Sequence, residues 1–306
     1  MSKFNIRYSG IIFCLQVLLI VNLVACGTNI NQQIQKSLPT PAQLVPKDTA
    51  NRVVSLSAIT TDIISQLDQS KLVGMTGSSL FKNNSRLQNI PRVNEVRTPL
   101  NLEKVIALKP DLIIAPTGFY VQEMGKLQQL GIATYTYHLN SWEALQQLTQ
   151  TLAQLIAADP QPLLNRYQSF LANKSNYQYS TLVLTSIKPV LSPNKNSWAG
   201  DLLTKFKAKN VTADLQGKSQ FRGYVTLSPE KILQENPEVL ILVNTPQPQS
   251  RTELLESWQK EPFWQQLQAI KNNRVYIFDY HGLVNPGSID AIEATCKQLR
   301  LALSGQ

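Results

Sequence analysis

Side chains that could hold a metal or drive a covalent reaction are scarce in this chain of 306 residues. The histidines are His138 and His281, and the cysteines are Cys14, Cys26 and Cys296. A bare zinc or manganese ion wants several histidines and a carboxylate, so this composition argues against such a site and against a disulfide scaffold. No Gly-x-Ser-x-Gly elbow, His-Glu-x-x-His helix or P-loop occurs, so Ser, Asp and His are present with nothing to arrange them for catalysis. The remaining chemistry is non-covalent. Arg97 and Arg222 offer planar forks for carboxylate or catecholate oxygens, and Phe119, Tyr120, Trp198, Tyr224 and Tyr280 offer aromatic faces. Glu103 and Glu230 each follow a helix-capping residue by two positions.

The elements that must place these residues follow an α/β rhythm. Strands are predicted at 52–56, 71–75, 111–115 and 133–138, alternating with helices at 60–69, 101–109, 120–130 and 141–158. Asp159-Pro160-Gln161-Pro162 breaks the last of these, and a further helix is predicted from Leu163 to about Ser175. A second series then has strands at 181–187, 211–214, 239–243 and 274–278. Its helices fall at 198–207, 228–236, 252–270 (broken at Pro262) and 288–303. Strands alternating with helices imply largely parallel sheets flanked by helices.

The two series echo each other. NLEKVIALKPDLII from Asn101 and SPEKILQENPEVLI from Ser228 align without a gap at an offset of 127. Each copy opens on a cap, places Glu-Lys in the first helical turn, ends its helix at Pro and starts an apolar strand after an acid. Ordinary helix starts explain each Glu separately. They do not explain the same Glu-Lys pair in both copies, and a repeat so widely spaced indicates a duplicated lobe rather than a solenoid.

The first 25 residues stand apart. Lys3 and Arg7 precede the run IIFCLQVLLIVNLVA, which is too short to span a bilayer of about 20 apolar residues. It reads as an export signal, residues 1–25. Leu23-Val24-Ala25-Cys26 resembles the lipobox of bacterial lipoproteins, in which cleavage precedes a Cys that receives lipid; an ordinary signal with an incidental Cys is the alternative. Residues 26–50 have the Pro-rich, aromatic-free composition of a tether reaching roughly 70–80 Å. Removing the signal lowers the net charge from +9 to +7, spread over scattered lysines and arginines, so no nucleic-acid partner is indicated. Cys14 leaves with the signal, and Cys296 reads as a buried small residue.

Arg52-Val53-Val54-Ser55-Leu56-Ser57, Lys71-Leu72-Val73-Gly74 and the phrase NLEKVIALKPDLIIAP together resemble the first lobe of periplasmic binding proteins serving ABC importers of ferric siderophores, haem and cobalamin. Ser197-Trp198, Leu227-Ser228-Pro229-Glu230, Asn236-Pro237-Glu238 and Arg274-Val275-Tyr276 resemble the second. The resemblance implies two α/β lobes, 51–158 and 180–306, joined by a single long helix within 159–179, with the ligand between them. It implies that Glu103 and Glu230 dock onto basic residues of a membrane permease, itself driven by an ATPase. Such rim charges set orientation and on-rate more than affinity. One departure is Leu67-Asp68-Gln69-Ser70, where the family usually has Leu-Gly, so that turn must be capped differently.

Under the same resemblance, loops after the strands line the cleft and supply Arg97, Phe119, Tyr120, Trp198, Arg222, Tyr224, Tyr280 and His281 as ligand contacts, position 224 matching an aromatic contact of relatives. Arg97 has the alternative of pairing with Glu95 or Glu103, and Arg222 that of a solvated loop charge. His281 is either a polar contact or, with Tyr280 or Tyr120, an iron ligand for haem. His138 reads as a polar loop residue. A chelate brings its own metal ligands, so the protein needs no cofactor or metal site of its own. The leading expectation is a monomeric, lipid-anchored receptor for a ferric siderophore, with cobalamin or haem as alternatives. An exported enzyme and a non-transporting assembly or sensing factor are the readings from other classes.

Overall fold

The computed structural model describes residues 48–304, apart from 96–97, 173–176, 217–218, 220 and 246–249. The chain divides into residues 1–40 and 41–306, and every described residue belongs to the second unit. The signal, Cys26 and nearly all of the tether therefore lie outside the described residues, as does Arg97. The body begins no later than Ala50, which is fully buried and donates its N–H to the Leu155 carbonyl at 2.8 Å.

The first half runs β1 (Val53–Ser55), α1 (Ala58–Asp68), β2 (Leu72–Met75), α2 (Leu102–Ala107), β3 (Leu112–Pro116), α3 (Val121–Gln129), β4 (Ala133–Tyr137) and α4 (Trp142–Ile156). Its sheet is parallel, in the order β2-β1-β3-β4. β3 is central and buried from Leu112 to Ala115, hence its unbroken apolar run. α4 turns Leu145, Leu148, Leu152 and Ile156 inward, capped by Ser141 and closed by left-handed Ala157. At the departure from the family pattern, Asp68 Oδ1 accepts from the N–H and the hydroxyl of Ser70, at 3.0 and 2.6 Å, which supplies the turn's cap.

After a break at 157–160 comes α5 (Gln161–Phe170), starting two residues before the predicted Leu163 because Pro160 serves as its N-cap and Pro162 fits the first helical turn. Its C-cap is Leu171, so the helix stops short of Ser175.

The second half holds β5 (Ser180–Leu184), β6 (Ser186–Ile187), β7 (Val190–Pro193), α6 (Trp198–Lys205), β8 (Lys209–Asn210), β9 (Tyr224–Thr226), α7 (Pro229–Glu235), β10 (Val239–Asn244), α8 (Arg251–Gln259), α9 (Gln268–Lys271), β11 (Val275–Asp279), the kinked turn α10 (Tyr280–Leu283) and α11 (Ile289–Ala302). Its parallel sheet has the order β8-β5-β10-β11. That is the order of the first sheet: opening strand second, next strand outside it, later strands on the other side. The echo therefore extends to topology. β3 and β10 begin at Leu112 and Val239, and the caps Asn101 and Ser228 accept from Lys104 N–H and Lys231 N–H at 2.9 and 3.2 Å.

Two differences concern strands. Residues 211–214 form a turn, and the strand is the short β8 before them. Asn210 takes the role of turn-former, donating to the Pro193 carbonyl and accepting from Thr212 N–H. The small antiparallel sheet β6-β7-β9 has no counterpart in the sequence expectation.

One apolar core runs through both halves, including Val53, Ile63 and Trp142 from the first and Val183, Trp198 and Phe278 from the second. At its centre Trp142 stacks on Trp198, with centroids 6.1 Å apart and planes 18° apart, and meets Tyr167 of α5 edge-on.

Candidate functional site

In an open parallel sheet, ligands bind beyond the carboxyl ends of the strands, where strand order reverses. In the first sheet that point lies between β1 and β3, so the loops after Ser55 and Pro116 are its walls. Ser57 caps α1, and its Oγ accepts a hydrogen bond from the Tyr137 hydroxyl at 2.7 Å. Ser55, Thr60 and Thr61 extend this hydroxyl chain beneath it. Burial pushes the Tyr137 phenol up to about 12, so it remains a neutral donor.

The loop after β3 ends in Tyr120, a left-handed non-glycine residue with φ 54° that caps α3 without a side-chain bond. Such backbone persists only where surroundings enforce it. Asn94 holds the ring from the side. Its amide donates to Tyr120 Oη at 3.5 Å, and its carbonyl accepts from the Thr76 hydroxyl and Gly77 N–H at 3.0 and 3.1 Å. Phe119 beside it is 62% exposed, unusual for so large an apolar ring. Asn94 was missed from sequence, since nothing separates it there from Asn83, Asn84 or Asn89 in the same loop.

In the second half Tyr224, Tyr280 and His281 come together. Tyr224 starts β9 directly after Gly223, whose φ is +82° and whose added Cβ would press on Ser197 Cβ at 3.0 Å. Burial, with the neighbouring Tyr280 adding to it, pushes the Tyr224 phenol up. Tyr280 is likewise raised by burial, against a hydrogen bond to Asn285. Its ring meets the His281 imidazole edge-on at 5.3 Å. Desolvation lowers His281, partly offset by Asp279, so the ring is held neutral. His281 Nδ1 is buried without a hydrogen-bond partner among the described residues, an acceptor or donor left over for something else. A Cβ built on Gly287 would lie 2.8 Å from that Nδ1 and 2.9 Å from Leu80 Cδ1, so this cluster sits against the β2 loop of the first half.

Trp198 does not join them. It is 3% exposed, and its indole N–H is committed to the Gly282 carbonyl at 2.8 Å. Expected from the sequence as a ligand contact, the residue follows the Ser197 cap as the first of α6, and the inward face of that helix carries it into the core. That bond ties α6 to the kinked turn in which Tyr280 and His281 sit. Phe221 and Arg222 are exposed on the loop before Tyr224. Tyr120, with Phe119 beside it, is braced by Asn94 in the first half, apart in the chain from the Tyr224 cluster.

Glu103 and Glu230 occupy matching places, exposed in the first turns of α2 and α7. The Ser228 hydroxyl, with Glu230's own N–H, holds the Glu230 carboxyl below the ordinary glutamate range, so it stays charged. His138 is exposed. Among the described residues no three His, Cys, Asp or Glu side chains are grouped to hold a metal, and no helix is long and apolar enough to cross a membrane.

The vitamin B12-binding protein of Vibrio cholerae serotype O1 is 26% identical over 302 residues, covering 93% of this chain and 99% of that protein. An ABC transporter substrate-binding lipoprotein of Bacillus subtilis is 22% identical over 251 residues, covering 76% and 74%. Among solved structures, one from Staphylococcus epidermidis, described as a possible iron-binding periplasmic solute-binding protein, superposes with a TM-score of 0.68 at 20% identity, covering 83% of this chain and 99% of that one. These relatives are named as binding proteins, and the Bacillus subtilis one as the substrate-binding protein of an ABC transporter. The periplasmic binding protein family itself matches residues 53–280, three quarters of the chain and both sheets, and the chain belongs to it.

Proposed function

We propose that this chain is the lipid-anchored solute receptor of an ABC importer. It captures a metal already wrapped in an organic chelate between lobes 51–158 and 180–306 and delivers it, as a monomer, to a membrane permease. The observation that carries the proposal is the Tyr224–Tyr280–His281 cluster lying against Leu80 of the other lobe, an aromatic wall at the lobe junction. Aromatic faces suit a broad, weakly charged organic surface, and a chelate needs no protein ligand for its metal. Phe119, Tyr120 and Arg222 extend the contact set, with Arg97 outside the described residues.

A corrinoid is the first ligand to try, because the Vibrio cholerae relative, alike over nearly its whole length, is named for vitamin B12. A ferric siderophore is the second reading, favoured by exposed Arg222 beside Tyr224, which would pair with an anionic chelate. Cys26 is the lipidated residue, a reading supported by the lipoprotein among the relatives. Glu103 and Glu230, one per lobe, face the permease.

Full-length protein in detergent, titrated calorimetrically with cyanocobalamin, a ferric catecholate, a ferric hydroxamate and haemin, tests the function. Binding of one of them below about 10 µM, an affinity of roughly 7 kcal/mol, supports it. Binding of none at that level overturns it. Membrane release of a Cys26→Ala variant tests the anchor.

A further inference from the structure

The turn that carries Tyr280 and His281 is closed from within by Asn285 and gripped from outside by the other lobe. The Asn285 carbonyl accepts the Gly282 N–H at 2.6 Å, and its own N–H donates to the Tyr280 carbonyl at 3.1 Å. Its side-chain oxygen accepts the Gly287 N–H at 3.1 Å. The His281 ring packs on the Gly287 backbone, where a Cβ would come within 2.8 Å of Nδ1. Nδ1 has no hydrogen-bond partner among the described residues, so on that side the backbone beneath the ring sets its place. Two residues past Gly287 the first lobe takes hold: Asp62 of α1 accepts the Ile289 N–H on Oδ2 at 2.7 Å, and Ile289 opens α11.

Capping alone does not account for this bond. Ser288 already caps α11 by accepting the Ala291 N–H at 3.2 Å, and Asp62 takes the N1 amide that a single cap leaves over. Asp62 is 3% exposed, and a carboxylate so buried is costly unless bonded. Its bonding is a relay. The Gln66 amide donates to the same Oδ2 at 3.1 Å, and Gln66 Oε1 accepts from Arg166 of α5 at 3.1 Å. Arg166 goes on to Asp290 and Glu293 of α11, both at 2.6 Å. Helices α1, α5 and α11 are thus pinned together at the residue where the turn ends. The lobes exchange such caps, for Asp201 of α6 accepts the Trp142 N–H at 2.7 Å at the start of α4. The loop before Trp142, residues 138–141, carries none of the site residues, whereas the turn before Ile289 carries two.

We infer that Asp62 is a positioning residue for ligand binding. Through the Ile289 N–H it sets the Gly287 backbone on which His281 packs, and so fixes how the imidazole and Tyr280 face a chelate. The inference rests on the receptor function proposed above. Leu80, also of the first lobe and 2.9 Å from the same Gly287 Cβ, supplies apolar contact, which has no direction of its own. The hydrogen bond from Ile289 has one, and it holds the turn in a single register. The aromatic wall of the second lobe is therefore aimed by a carboxylate of the first.

Nitrogen NMR of the imidazoles, in the full chain without any chelate, reads the ring directly, since His138 and His281 are the only histidines. Asp62→Ala is expected to shift the His281 resonances, leave those of His138 in place and weaken calorimetric chelate affinity about fivefold or more. Asp62→Asn, whose side-chain oxygen still accepts from Ile289 and Gln66, should keep both readouts near wild type. Glu238→Ala controls for lost stability alone, because its clasp lies at the amino end of the second sheet; it should leave the His281 resonances unmoved. Unmoved His281 resonances or unchanged affinity in folded Asp62→Ala protein overturn the inference, as does Asp62→Asn matching Asp62→Ala. Where Asp62→Ala fails to fold, Ile289→Pro removes the same bond from its donor side, at a helix position that suits proline, and should give the same shift. If the wild type binds no chelate, the receptor function fails. The resonances then still decide the placement of the ring: a shift upholds it and none overturns it.

Discussion

Glu238 receives both the backbone N–H and the hydroxyl of Ser180, at 2.8 and 2.9 Å, and returns its own N–H to the Ser180 carbonyl at 2.9 Å. Asp111, 127 positions earlier, does the same at the start of β1, accepting from Asn51 N–H and Arg52 N–H at 2.7 and 3.0 Å and donating to the Arg52 carbonyl at 3.0 Å. The acid before the echoed strand is thus a clasp that sets the register of the central strand pair in each lobe.

Replacing either clasp should cost stability. Glu238→Ala and Asp111→Ala are each expected to lose about 1 kcal/mol in urea unfolding at neutral pH, allowing for solvent around the carboxylates. The bonds from Ser180 hold Glu238 below its ordinary 4.5. Its contribution is therefore full above that value and lost as pH falls through the lowered one. The gap between wild type and Glu238→Ala should close on the acid side; a gap that stays constant to strong acid contradicts the clasp.

Trp198 separates core from cleft. Trp198→Phe removes the donor to the Gly282 carbonyl and part of the stack on Trp142. A loss of roughly 1–3 kcal/mol is expected in thermal or urea unfolding. Calorimetric affinity for whichever chelate binds should stay as in the wild type, because the ring has no exposed face to offer. A large affinity loss at unchanged stability would return Trp198 to the ligand-contact set.

Gly282 holds the kink that presents Tyr280 and His281. Its φ is +99°, and an added Cβ would run into Thr295 Oγ1 and the Ala291 carbonyl of α11. Gly282→Ala combines left-handed strain with overpacking, for an expected cost of about 2–4 kcal/mol. The shifted turn should also weaken chelate binding at temperatures where the variant is folded. Wild-type melting and affinity would show that the kink is not needed.

The exposed pair Glu103 and Glu230 is expected to act on the partner rather than on the fold or the ligand. Glu103→Ala combined with Glu230→Ala should leave chelate affinity and melting temperature unchanged and abolish uptake in cells. Uptake at wild-type levels would reject the docking assignment.

The sequence by itself determined the α/β rhythm, the duplicated lobe and the matched acids. Those features are local: caps, prolines and apolar runs act within one helix or strand, and their spacing repeats at a constant offset. The tertiary structure alone decided which aromatic rings reach a surface. Trp198 and Tyr224 look alike as loop-adjacent aromatics, yet the first enters the core through the turn of α6 and the second stands beside Tyr280 at the lobe junction. The antiparallel sheet β6-β7-β9, the brace from Asn94 to Tyr120 and the exchanged caps of Asp62 and Asp201 also escaped the sequence. Each joins positions far apart in the chain, and Asp62 meets Ile289 across 227 residues. No local pattern carries such a pairing; the packing of one lobe on the other creates it.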